Sequence, residues 1–148
     1  MLAHPLGSLT RKPSPVATVE CGPTSTPNIG CYDERQDALA AYGMSLAWAL
    51  TGVQAYADKA IDYMNIWAQT LKNHTNANAL LQTAWAGAVW PRAAEIIRYT
   101  NAGWLDRDIA KFEDFLRDVY LPNVIQGSNK AGNWELGLSF PCSLYSGA

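Results

Sequence analysis

Apolar residues recur at helical spacing over four stretches of the chain, residues 33–52, 56–71, 80–100 and 106–120. Spacings of three and four residues place these side chains on one face of each helix, with polar residues opposite. The connections are short, and short connections make consecutive helices antiparallel neighbours. The sequence therefore predicts an all-α fold of antiparallel helical hairpins.

Glycine and proline mark where these helices stop or bend. Gly52 is a predicted stop for the first helix, after an Asp33/Gln36 pattern typical of a helix start. Pro91 falls inside the third stretch and predicts a break near Val89. Such a break either re-aims Gln82, Trp85, Trp90 and Arg92 towards a cleft or leaves the tryptophans in the core. Leu121-Pro122 is predicted to end or bend the fourth helix.

Residues 1–32 show no helical period and are predicted to form an extended arm. The prolines in this segment keep the backbone extended or turning, and residues 16–19 have the pattern of a short strand. Residues 73–78, with three asparagines and His74, are interpreted as a capped turn in preference to a polar site. The period is lost again over residues 137–148, a tail that we expect to be foreign to the fold.

Composition narrows the classes of ligand. The 148 residues carry a net charge of -2, only 16% are charged, and there are six Trp and seven Tyr. Without a basic stripe a nucleic-acid partner is not expected, and neutral or sugar-like ligands are favoured. No apolar run is long enough for a membrane span, so no membrane partner is predicted either.

The cysteines have neither the spacing nor the histidines of a zinc site, so no metal is predicted. Cys21 and Cys31 flank a loop and either pair in an oxidising compartment, leaving Cys142 alone, or stay free. The N-terminus lacks the charged start and apolar core of a signal peptide. Either the protein stays inside the cell or the natural start is missing.

The turn at residues 126–136 gathers two glycines, the amides of Asn129 and Asn133, and the ring of Trp134. Amides and aromatic faces are groups that bind sugars. The alternative needs no function, because Gly127 and Asn133 are also the residues expected at a helix end and at the next helix start.

Five blocks of sequence, taken together, resemble the alginate lyase domain of the polysaccharide lyases across roughly residues 16–136. The blocks are residues 37–42, residues 46–52 continued by 56–61, residues 81–85, residues 92–100 with 103–104, and residues 129–135. The resemblance implies a toroid of stacked helical hairpins (an α/α toroid) and cleavage of uronic-acid polymers such as alginate or glucuronan by β-elimination. It also implies a protein that is extracellular or periplasmic and needs no cofactor.

The resemblance assigns Asn133 to the loop position that faces the substrate carboxylate. Many members of the family follow this asparagine with histidine, whereas this chain has Trp134, so the general base is not assigned. Further residues are expected to bind substrate by their place in the matching blocks: Gln82, Trp85, Arg92, Asn129, Trp134 and Glu135.

The base and acid are not evident in this chain. His4 and His74 are distant from Asn133 in sequence, and five tyrosines have core spacing: Tyr42, Tyr56, Tyr63, Tyr99 and Tyr120. In the family these groups come from later hairpins. We therefore expect residues 33–136 to be a partial toroid, truncated at about its first half, with weak or no activity. An exposed apolar helix face would then favour self-association.

Two other functions stay open. A noncatalytic carbohydrate-binding or scaffold module would need no base or acid. A glycoside hydrolase on a similar helical toroid would need two facing carboxylates, for which Asp37, Glu95 and Glu135 are the candidates.

Overall fold

The computed structural model describes residues 4–129, with side chains up to residue 127. Most of this part of the chain is helical, which confirms the predicted predominantly helical fold. The helices are α1 (Cys31–Thr51), α2 (Gln54–Thr70), α3 (Ala79–Gly87), α4 (Trp90–Arg98), α5 (Asp106–Phe115) and α6 (Leu121–Asn129), with a π-helical turn at Leu116–Tyr120 between the last two and short 3-10 turns at Pro5–Gly7 and Pro23–Ser25.

A small three-stranded sheet accompanies the helices. Its central strand, β1 (Thr18–Cys21), pairs antiparallel with β2 (Asn28–Ile29) and parallel with β3 (Asn73–Thr75). The predicted strand at residues 16–19 therefore exists but begins later. Interpreting residues 73–78 wholly as a capped turn was wrong, because the first three of them form β3 and place His74 inside the protein.

The first hairpin consists of α1 and α2. Gly52 has φ +67° and its N–H donates to the carbonyl of Trp48, a left-handed helix end that glycine adopts without strain. This confirms the predicted stop. The predicted start is displaced, because α1 begins at Cys31 after the left-handed Gly30, before the Asp33/Gln36 pattern.

The break predicted from Pro91 is present. Helix α3 ends at Gly87 and α4 begins at Trp90, leaving Ala88 and Val89 between them. Pro91 lies in the first turn of α4. Backbone N–H groups in a first turn have no acceptor within the helix, so the lack of an N–H in proline costs no hydrogen bond there.

After α5 the chain does not leave the helix. It passes through the π turn at Leu116–Tyr120 and continues as α6 to Asn129, so Pro122 again lies in a first turn. The expectation that Gly127 ends a helix was wrong, since α6 includes it. Helix α6 packs against α3, although the two are far apart in sequence.

Aromatic rings from five elements meet in the core. Trp67 of α2 lies 6.2 Å from Trp90 of α4, and Phe112 of α5 contacts Trp90 at 6.3 Å, measured between ring centroids. Tyr120 of the π turn contacts His74 edge to face at 5.1 Å. Tilted and edge-to-face geometries are those that aromatic pairs prefer, so this cluster fixes the mutual positions of the helices.

The N-terminal arm is fastened to the helices by one buried carboxylate. Asp37 of α1 is completely buried and accepts hydrogen bonds from Arg11, the backbone N–H of Ser14 and the indole of Trp67. Burial of Arg11 lowers its pKa, but hydrogen bonds to Tyr63 and Asp37 outweigh this and raise the pKa overall. The arm is thus part of the folded structure.

A disulfide joins Cys21 at the end of β1 to Cys31 at the start of α1. The sequence left open whether these two cysteines pair or stay free, and in the structure they are paired. Within residues 4–129, none of the helices is both long and apolar enough to cross a membrane.

Candidate functional site

Glu34 is the centre of a buried polar network. Its Oε1 accepts hydrogen bonds from Tyr120 Oη and from His74 Nε2, the latter at 2.8 Å, and its Oε2 accepts one from the amide of Gln82. The indole of Trp90 donates to Tyr120 Oη at 3.0 Å. Three donors on one carboxylate offset the cost of burying its charge.

The network connects elements that are distant in sequence: α1, β3, α3, α4 and the π turn. In the contact between His74 and Glu34, His74 donates when its ring proton is on Nε2. Among the described residues, His74 Nδ1 is buried without a hydrogen-bond partner. Both candidate proton carriers of the network, His74 and Tyr120, are at most 5% exposed, so bulk solvent does not reach them.

Gln82, which the sequence assigned to substrate binding, lies in this network. It is 2% exposed, and its amide nitrogen donates to the carbonyl of Cys31 at 2.9 Å as well as to Glu34. In this arrangement its amide nitrogen donates to groups inside the protein.

Trp85, one turn further along α3, is on the surface. Its side chain is 41% exposed, and the guanidinium of Arg35 lies 5.0 Å from the ring centroid. These two residues line a groove of about 200 Å³ together with Leu39, Ala86 and Val89. The structure thus joins a sequence-predicted aromatic residue to a cation that sequence reasoning missed.

Trp85 differs from the other described tryptophans in its indole N–H. The other four donate to protein acceptors: Trp48 to Thr100, Trp67 to Asp37, Trp90 to Tyr120 and Trp104 to Asn65. Within residues 4–129, Trp85 has no such acceptor. A half-exposed ring with an unused donor is suited to an external ligand.

A second groove lies beside α1. It has a volume of about 250 Å³ and shares Leu39 with the groove at Trp85. Its other lining residues come from α1 and from the N-terminal arm: His4, Leu6, Gly7, Tyr42, Gly43 and Leu46. Both grooves lie beside α1 and share the lining residue Leu39, and we refer to the two together as the α1 groove.

The remaining predicted site residues are placed as follows. Arg92 is exposed on α4, and Asn129 is the last residue of α6. Asn133, Trp134 and Glu135 lie outside the described residues. Helix α6, which leads to them, packs on α3, the helix that carries Gln82 and Trp85.

The prediction that tyrosines with core spacing are buried holds for some of them and fails for one. Tyr63 and Tyr120 are completely buried, as expected, whereas Tyr99 is 73% exposed and the core prediction was wrong there. Burial raises the pKa of Tyr63 above its usual value, against a hydrogen bond from Arg11 that lowers it. Over the described part of the chain, no group of three or more His, Cys, Asp and Glu side chains is arranged to hold a metal ion.

Comparison with known families agrees with this helical architecture. The model of the alginate lyase family matches residues 31–136, a range that begins at the first residue of α1 and includes Asn133. The match covers most of the chain, and the chain therefore belongs to the alginate lyase family, which defines a polysaccharide lyase-like domain. No curated protein and no solved structure matches it.

Proposed function

We propose that this chain recognises a uronic-acid polysaccharide such as alginate or glucuronan, and that its chemistry is β-elimination with weak or no turnover by these 148 residues. The observation that carries the proposal is the family match, which includes both α3 and residues 129–135. The composition, poor in charge and rich in Trp and Tyr, supports a sugar ligand.

The proposed chemistry begins with neutralisation of the substrate. The proton next to a sugar carboxylate is very weakly acidic, and its removal creates an enolate-like dianion. A donor placed against the carboxylate stabilises that charge, an effect worth about 3 to 4 kcal/mol for a good donor. We assign this role to the amide of Asn133, with Asn129, Trp134 and Glu135 beside it as substrate-binding residues.

Weak turnover is proposed because the buried histidine and tyrosines of the described residues are already hydrogen-bonded to other side chains of the protein. A base must come within hydrogen-bond distance of the proton it removes. His74 and Tyr120 are occupied with Glu34, and Tyr63 is held by Arg11, all in the interior. The same observation favours the second candidate function, a noncatalytic carbohydrate-binding domain.

The proposed location is outside the cytoplasm. The disulfide between Cys21 and Cys31 supports it, since such bonds persist in oxidising compartments. Thiol labelling of the denatured protein checks the pairing. We expect one reactive thiol per chain before reduction and three after it.

The experiment is to incubate the purified protein with alginate and with glucuronan, and to measure binding together with the chemistry of any products. We expect binding with slow or undetectable ultraviolet absorbance from a conjugated double bond. Rapid appearance of that double bond would overturn the weak-turnover part. Products that have gained water would indicate a hydrolase instead, and absence of binding to either polymer would contradict the proposal.

The hydrolase alternative receives little support from the acids available. Asp37 is completely buried and paired with Arg11, so it cannot face a water molecule in a cleft. Glu95 is exposed on α4. A pair of accessible carboxylates flanking one bond is what such an enzyme needs.

A further inference from the structure

We propose that Arg35 and Trp85 form a carboxylate-binding subsite, and that the α1 groove extends it into a binding surface for an acidic oligosaccharide. The inference rests on the proposed function, because it takes the ligand to be a uronate polymer. It adds a cation and a surface formed by residues of α1, α3 and the N-terminal arm.

The chemistry of the Arg35–Trp85 pair suits a sugar acid. The guanidinium of Arg35 lies 5.0 Å from the Trp85 ring centroid, and a guanidinium has five N–H donors in a planar fork that matches a carboxylate. Arg35 forms no salt bridge within residues 4–129. The unused indole N–H of Trp85 supplies a further donor, and Leu39 and Val89 offer an apolar wall to the C–H face of a sugar ring.

The geometry of α1 gives the surface its length. Arg35, Leu39, Tyr42 and Leu46 follow one another at spacings of four, three and four residues, which places them on one helix face. At about 1.5 Å per residue this face extends over about 16 Å. That length exceeds one sugar ring, so the surface fits a short oligosaccharide with its acid group at Arg35.

The occupant follows from charge and shape. The groove combines Arg35, a cation that has no salt bridge within residues 4–129, with apolar and aromatic walls, whereas a neutral apolar partner would leave Arg35 without a counter-charge. We therefore assign the groove to an oligouronate.

The first test replaces Arg35 by Gln, which keeps a polar side chain and removes the charge. The matched control is Arg107→Gln, an arginine 76% exposed on α5. Calorimetry measures the dissociation constant for a uronic acid hexamer and for the same hexamer with its carboxyl groups reduced to alcohols. We expect Arg35→Gln and Trp85→Ala each to weaken hexauronate binding about tenfold, the scale of a lost charge-assisted hydrogen bond or aromatic contact.

The outcomes separate the two proposals. Unchanged affinity in Arg35→Gln, with binding by the unsubstituted protein intact, overturns the subsite and leaves the proposed function standing. No hexauronate binding by the unsubstituted protein overturns both. Equal affinity for the neutral hexamer contradicts recognition of the acid group, and thermal melting checks that each variant is folded.

The second test blocks the groove away from Arg35. Gly43 lines it, and a Cβ atom added there would meet no atom within 4 Å apart from its chain neighbours and the backbone of its own helix. Gly43→Phe should therefore place a ring at the groove, and glycine is the weaker helix former. We expect it to weaken hexauronate binding about tenfold while leaving a diuronate unaffected. Equal affinity of Gly43→Phe and the unsubstituted protein for the hexamer would contradict the extension along α1.

Discussion

His74 Nε2 lies 2.8 Å from Glu34 Oε1, and both side chains are fully buried. The two residues come from β3 and α1, forty positions apart in sequence. A buried carboxylate is stable only while its partners hold it. The contact therefore connects the small sheet to α1. Tyr120 also donates to Glu34, and this hydrogen bond connects α1 to the π turn that leads into α6.

The first prediction concerns Tyr120, which donates to Glu34 and accepts from Trp90. Tyr120→Phe removes a donor from a buried carboxylate and an acceptor from a buried indole, so we expect the free energy of unfolding to fall by about 1 to 3 kcal/mol. Urea denaturation measures it. Tyr99→Phe, at an exposed tyrosine, is the control and should change stability by less than about 0.5 kcal/mol. Equal effects of the two variants would show that the network contributes nothing.

The second prediction concerns the attachment of the N-terminal arm. Asp37→Asn leaves Arg11 without its counter-charge beside the core, and we expect a loss of about 3 kcal/mol or more. The comparison is Asp62→Asn, which breaks an exposed pair with Lys59 and should cost less than about 1 kcal/mol. Protease digestion should also cleave the arm faster in Asp37→Asn. A stability close to that of Asp62→Asn would mean that the arm is not fastened through this carboxylate.

The third prediction concerns alkaline pH. The pKa of Tyr63 is raised in the folded protein, mainly by burial, so the unfolded chain loses this proton first as pH rises. Stability from Tyr63 is therefore complete below its unfolded pKa of about 10 and is lost above it. Unfolding measured from pH 8 to pH 11 should show a fall that is smaller in Tyr63→Phe than in Tyr99→Phe. Identical slopes in the two variants would contradict a role for Tyr63.

Local signals in the sequence predicted the helices and their ends well. Gly52 and Pro91 act through their own backbone restrictions, so the stop and the break near Val89 follow from the residues themselves. Family resemblance predicted membership, which the match over residues 31–136 confirms.

Features that depend on distant contacts were not predictable in the same way. Strand β3 is three polar residues long and exists because it pairs with β1, more than fifty positions earlier. Glu34 and Arg35 are adjacent charged residues in one helical pattern, yet the first is in the interior and the second lies over Trp85. Only the tertiary fold distinguishes them.

Of the two predicted site residues on α3, one is at the surface and one is in the interior. Trp85 was singled out because it belongs to a block that resembles the family, and it proves to be exposed with an unused donor. Gln82 belongs to the same block but serves Glu34. Sequence spacing places both on α3 without showing which of them faces solvent.

The central claim is that this chain recognises the carboxylate of a uronate polymer through the amide of Asn133. Its most direct test is the affinity of Asn133→Ala for a uronic acid hexamer, beside Asn101→Ala, at an exposed asparagine after α4, as control. The account predicts that Asn133→Ala binds about tenfold or more weakly and Asn101→Ala binds as the unsubstituted protein does. Equal affinity of Asn133→Ala and the unsubstituted protein for the hexamer would contradict it.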